Sequence, residues 1–326
     1  MEKRRKEFSE IPSANPVPSA KIINQFTKKN NTFHPEGVLS VSRYELDDEI
    51  SYDVLYGQSS SLRCDTLIIA TSSWLTGLEG FNKDLTLQLM DTGFDVAFIS
   101  TAIGKQTTLL KNAEDIHVIL DDLDKKGRHH EKQAITVGAS RGAMVGFGIE
   151  SVSRKNQRKI IYSDIVDPCQ AHPLILRNPK QIFEYMCSIP DATNDLFRVV
   201  AKLPLKKKID YLRTIEFHPQ SALQIIHSTP SIFSGEAGEL AKKVSKDAHM
   251  HIRFFDKNPA NNADTYTEYF ADHEGVVIEK VNGAHFSLLS QDTTAKTLAR
   301  LATLASRLSN GATEEEIDFR ELSQIR

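Results

Sequence analysis

Residues 135–150 read ITVGASRGAMVGFGIE: an apolar run, then Gly138-Ala139-Ser140-Arg141-Gly142, then a run of small and apolar residues. The first part is patterned as a strand buried in a sheet and the last as a helix, so the five residues between them form a strand-to-helix turn. One glycine would suffice for such a turn, and a glycine-rich turn that merely packs a helix closely on a sheet is the structural alternative. Two glycines flanking a serine have a further use. A serine hydroxyl is a weak nucleophile until a neighbouring base takes its proton, and a sharp turn lifts the hydroxyl out of the sheet toward such a base. The same turn puts the N–H of the next residue, Arg141, at a helix N-terminus, where it can hold an oxyanion. Positions 138 and 142 must then be small.

The segments on either side repeat the alternation. TLIIAT (66–71), FDVAFIST (94–101) and KIIYSDIVDP (159–168) are short apolar runs typical of strands covered on both faces, and LQIIHS (223–228), HMHIRFFD (249–256) and VVIEKV (276–281) read as further strands. Between them lie helical patterns: DLTLQLMDTG (84–93), stopped by Gly93, and TLLKNAEDIHVILDDLDKKG (108–127), stopped by Lys-Lys-Gly. ELAKKVSKD (239–247), a stretch around TYTEYFADHE (265–274) and TTAKTLARLATLASRL (293–308) follow in the second half. The order predicts an α/β fold, a mostly parallel central sheet with helices on both faces. GVLSVSRYELD (37–47) and EISYDVLYG (49–57) alternate instead and predict an antiparallel hairpin at its start.

Residues 1–36 are polar and without periodicity and read as an N-terminal arm; its Lys3-Arg4-Arg5-Lys6 cluster reads as a solvated terminus, with contact to an anionic surface as the alternative. Residues 37–309 form the main domain. Within it, 168–227 breaks the strand rhythm and reads as a helical cap insertion, and 310–326 reads as a C-terminal tail or short docking helix. A net charge of -3 gives no reason to expect nucleic-acid binding, and no run of about 18 apolar residues predicts a membrane span. The N-terminus lacks the apolar core of a secretory signal. Cys64, Cys169 and Cys187 are too scattered for a disulfide framework or a zinc site, so free thiols and a cytoplasmic setting are expected. No phosphate loop, dinucleotide fingerprint or metal-ligand cluster occurs, and no cofactor is expected.

A strand–G-x-S-x-G–helix unit is the nucleophile elbow of the α/β-hydrolases, in which an acid and then a histidine follow the serine in chain order. His285 in Asn282-Gly283-Ala284-His285-Phe286 stands directly after the strand 276–281 and before the closing helix; none of the other 10 of the 11 histidines has that placement. The acid belongs just beyond the preceding strand. Asp256 is preferred there; Asp264, which could instead cap the helix after it, and Asp164 or Asp167, one strand earlier, remain alternatives. The second oxyanion donor belongs to the loop after TLIIAT, at Ser73 or Trp74, with Trp74 also placed to wall the pocket. Many relatives carry His-Gly there and this chain does not.

On these motifs the chain resembles the α/β-hydrolase superfamily over about residues 37–309. It is also similar to hydrolase-fold proteins that accompany bacterial capsule or surface-glycan synthesis. The resemblance implies a serine hydrolase cleaving an ester of a small molecule or glycan through an acyl-enzyme. An O-acyltransferase acting on a glycan hydroxyl and an inactive hydrolase-fold assembly protein are the alternatives. The insertion carries Arg198, Lys202, Lys206, Lys207, Lys208 and Arg213. Its plainer reading is a solvated helix face; the other is a cap that draws an anionic ester toward Ser140. Oligomeric state is not legible.

Overall fold

The computed structural model describes residues 22–27, 32–46, 50–61, 65–71, 81–100, 108–125, 133–153, 157–168, 235–258, 263–283 and 291–325. The strands are β1 (Ile22–Thr27), β2 (Thr32–His34), β3 (Gly37–Leu46), β4 (Ser51–Ser59), β5 (Thr66–Thr71), β6 (Asp95–Ile99), β7 (Gln133–Ala139), β8 (Lys159–Val166), β9 (Met250–Phe255) and β10 (Val276–Val281). They form one ten-stranded sheet in the order β1-β3-β4-β6-β5-β7-β8-β9-β10, with β2 pairing on β3. β3 and β4 are the expected antiparallel hairpin, β4 meets β6 antiparallel, and every pairing from β6 to β10 is parallel.

The helices are α1 (Phe81–Asp91), α2 (Leu109–Lys125), α3 (Arg141–Ser153), α4 (Glu236–Ala241), α5 (Ala263–Tyr269), α6 (Gln291–Ser309) and α7 (Phe319–Ser323). Strand side chains alternate between two cores, which is why the central strands are apolar at successive positions. Leu67 and Ile69 of β5 join the core under α2, α3, α4 and α5. Ile68 and Ala70 join the one under α1, α6 and α7. In the first core Tyr266 stacks on Phe147, ring centroids 5.3 Å apart, and leans on Phe254 at 5.4 Å.

β5 is where the winding reverses. α1 leaves β5 on one face and leads to β6 on one side, whereas α3 leaves β7, on the other side, along the opposite face. Diverging helices at such a point leave a crevice at the carboxyl ends of the strands, where open α/β sheets bind ligands.

Residues 22–34, part of the stretch read as an arm, carry β1 and β2, which add antiparallel strands to β3. Their mixed polar sequence hides strands whose partner is supplied by the hairpin. Residues 310–325 dock: Phe319 and Leu322 of α7 are buried, and Phe319 stacks on His249 at 4.0 Å. Asp318 caps α7 by accepting from the N–H groups of Arg320 and Glu321. Most of the proposed cap, 169–227, with its basic side chains, the strand expected at 223–228 and all three cysteines lie outside the described residues. No helix among the described residues is long and apolar enough to cross a membrane.

Candidate active site

Ser140 ends β7 and precedes the first residue of α3, at the carboxyl end of the sheet beside the switch point. Its φ is 55°, in the left-handed region that non-glycine residues avoid. That conformation is over-determined by its surroundings. The Ser140 N–H donates to Val166 O of β8 at 2.9 Å, and Ser140 O accepts from Met144 N–H at 3.2 Å, so the residue is fixed to a neighbouring strand and to the helix at once. The flanking glycines are required by contact: a Cβ at 138 would lie 2.5 Å from Gly142 O, and one at 142 would lie 2.3 Å from Thr71 O. Thr71, the last residue of β5, donates its hydroxyl to Gly142 O at 2.9 Å and ties the start of α3 to the end of β5. The sequence offered no signal for that side-chain role.

Arg141 gives the helix its first N–H, the type of group that has no intrahelical partner. Its side chain is 2% exposed. Burial pulls its pKa down to about 10, while nearby Tyr52 and Glu236 act in the opposite direction, so the guanidinium stays charged at neutral pH. Ser73, Trp74 and His285 lie outside the described residues.

The four candidate acids have four different settings. Asp256 sits in the turn after β9, exposed, with Oδ1 accepting from Gly283 N–H at 2.9 Å. Its own N–H donates to Val281 O, and Lys257 N–H donates to Gly283 O, both at 3.0 Å, so this turn is clasped to the chain two residues before His285. Asp264 lies in the first turn of α5, which begins at Ala263, rather than capping the helix, and its 91% exposed carboxylate pairs with Lys280 on the surface. Asp164 is buried in mid-strand under α6, between Arg253 and Arg300, with Thr297 beside it. Burial pushes its carboxyl up, but the two guanidinium groups outweigh that and hold it well below the usual carboxylate range. Asp167, at the carboxyl end of β8, is buried with φ 51°. It accepts from Phe255 N–H at 3.2 Å and from Asn258 Nδ2 at 2.7 Å. Asn258 was not singled out in the sequence, where nothing separates it from Asn261 and Asn262.

Among the described residues no group of three or more His, Cys, Asp or Glu side chains is placed to hold a metal ion. A cavity of about 360 Å³ opens between Glu150, Arg158, Lys159 and Asp247, at the amino end of β8. That is the opposite end of the sheet from Ser140.

No protein-family model matches the sequence, and no curated protein matches it. Solved structures do. An enol-lactonase from Burkholderia xenovorans superposes with a TM-score of 0.54 at 11% identity, covering 78% of this chain and 97% of the other. An esterase from Pyrococcus furiosus gives 0.52 at 13%, covering 85% and 96%, and a bacterial membrane phospholipase A gives 0.53 at 14%, covering 82% and 87%. With its sheet order, two helical layers and these structural likenesses, the chain has the α/β-hydrolase fold. At these identities the likeness is one of fold.

Proposed function

We propose that the chain is a serine hydrolase that cleaves an ester by two-step acyl transfer. The observation that carries this reading is Ser140, held left-handed between two glycines that cannot bear a Cβ, at the carboxyl end of β7 beside the switch point. Strained conformations of this kind cluster at functional sites. The names of the structural neighbours, esterases and lactonase among them, fit the same reaction class.

In this reading His285, oriented by Asp256, takes the proton of Ser140 Oγ as the oxygen attacks the ester carbonyl. The N–H of Arg141 and one from the loop bearing Ser73 and Trp74 hold the oxyanion. The alcohol leaves with the proton from His285, and a water activated by the same histidine then releases the acid. Asp256 is the acid of choice because its turn is hydrogen-bonded to the segment leading into His285. The buried charges around Asp164 are committed to Arg253 and Arg300, and Asp264 faces solvent.

A chain-length series of p-nitrophenyl esters tests the reading. Turnover is expected for the full-length protein and is lost in Ser140→Ala and His285→Ala to the same degree, since members of a triad act as a unit. Undiminished turnover in Ser140→Ala excludes it.

A further inference from the structure

The carboxyl edge of the sheet is closed by a row of hydrogen bonds running from the elbow toward Gly283, two residues before His285 in the chain. Ser140 N–H donates to Val166 O at 2.9 Å, and the next residue, Asp167, donates its N–H to Arg253 O at 2.6 Å. Asp167 then leaves the extended conformation for the left-handed region. A strand continuing straight on would alternate its side chain to one face of the sheet; the reversal instead aims the buried carboxylate sideways, at the end of β9. There Oδ1 accepts from Phe255 N–H and Oδ2 from Asn258 Nδ2. Asn258 is itself buried and donates its N–H to Phe255 O at 3.1 Å. Phe255–Asn258 is thus a closed turn gripped at both ends by one carboxylate, and inside it lie Asp256 and Lys257. On its far side Asp256 is bonded to Val281 and Gly283.

We infer that Asp167 is a positioning residue of the site: it fixes the turn that presents Asp256, and Asn258 is its working partner. The inference rests on reading Ser140 and Asp256 as nucleophile and acid. Asp256 is exposed and lies in a turn of four residues, so packing does little to hold it. A buried carboxylate that meets two donors does hold it, because each donor would otherwise lose its acceptor away from water. A non-glycine residue in the left-handed region costs on the order of 1–3 kcal/mol. The chain bears that strain at Asp167, as it does at Ser140.

The competing assignment, in which Asp167 itself orients the histidine, is separated by exchanging the two side chains. Asp167→Asn keeps the volume and a residue type that tolerates positive φ, but sets an amide donor against the amide of Asn258. Asn258→Asp alone sets carboxylate against carboxylate. Combining them restores one donor facing one acceptor in the reverse sense, and leaves an oxygen at 167 for Phe255 N–H. The measurements are kcat and KM on a p-nitrophenyl ester and the hydrogen-exchange protection of the Phe255 amide. For a positioning role, each single variant loses about tenfold to a hundredfold in kcat with KM little changed, and loses Phe255 protection. The combined variant recovers to within about threefold of the unmodified protein, because the two sites are coupled. A folded combined variant as inactive as Asp167→Asn overturns the inference, since the charge at 167 would then be what matters. Full activity in Asp167→Asn also overturns it. If Ser140→Ala keeps its activity, the site reading has failed instead. The exchange data then decide alone: protection lost in the single variants and regained in the pair supports the role of Asp167, and protection unchanged in Asp167→Asn refutes it.

Discussion

At Ser140 the backbone is bent against its preference, and the two glycines around it are what allow the bend. A Cβ at either glycine would meet a main-chain oxygen, which cannot swing aside, and Gly142 is the tighter of the two, 2.3 Å from Thr71 O against 2.5 Å from Gly142 O at position 138. Gly142→Ala must therefore push α3 away from β5. The expected result is a loss of about 1–3 kcal/mol in urea unfolding. Esterase turnover is expected to fall about a hundredfold, since small displacements of a nucleophile are costly. The acids differ in the same residue-level way. Asp256→Asn is expected to lower kcat by a factor on the order of 10⁴, because an asparagine would hold the imidazole in the wrong tautomer. Asp264→Asn breaks only an exposed pair and leaves kcat and unfolding midpoint unchanged. A reversed ranking would move the acid to the start of α5. The serine was readable because its motif is local, five consecutive residues. Asn258 was not, and Asp167 was legible only as an alternative acid, because their bonds span 88 and 91 residues and depend on which strands become neighbours.

Among the elements, α6 follows His285 in the chain, and it is fastened to the sheet by charge as well as by Leu301 and Leu304. Arg253 of β9 reaches Asp164 of β8, Thr297 and the carbonyl of Thr293, and Arg300 reaches the other oxygen of Asp164. Removing one member of a buried ion cluster strands the others, so Arg253→Met is expected to lower stability by about 3–5 kcal/mol. Replacing Asp164, Arg253 and Arg300 together by Leu, Met and Met should recover most of it, and denaturant midpoints of both variants check this. α2 and α3 carry a pH-sensitive contact. His117 is buried between them with Nε2 3.4 Å from Ile149 O. Burial, assisted by Arg158 and opposed by that hydrogen bond, lowers its pKa to about 4. An unfolded histidine titrates near 6.5, so between pH 6.5 and about 4 the unfolded chain binds a proton that the folded chain refuses. Stability is unaffected by this group above pH 6.5 and falls by about 3 kcal/mol as pH drops to about 4. His117→Leu should flatten that part of the curve of unfolding midpoint against pH; an unchanged slope would place the acid sensitivity elsewhere. Elements such as β5, β6 and β9 were legible because every position is buried and apolar pattern alone marks them. β1 was not, since IINQFT has no pattern of its own and becomes a strand through its register with β3.

For the whole molecule, the alternation of buried strands and helices predicted the sheet, and the crossing from β5 to both sides supplies the crevice that the motif needs. Local pattern and global topology thus point to the same few ångströms, the carboxyl end of β7. The basic insertion remains the proposal for substrate charge: steering predicts that the apparent KM of an anionic ester rises with salt while that of a neutral ester stays level. The direct test of the central claim is covalent. Treated with a fluorophosphonate and digested, the protein is expected to carry one phosphonyl group on the peptide containing Ser140. Ser140→Ala and His285→Ala are expected to carry none, with both variants folded by circular dichroism. An adduct on another peptide, or one that persists in Ser140→Ala, would contradict a serine hydrolase built on this elbow.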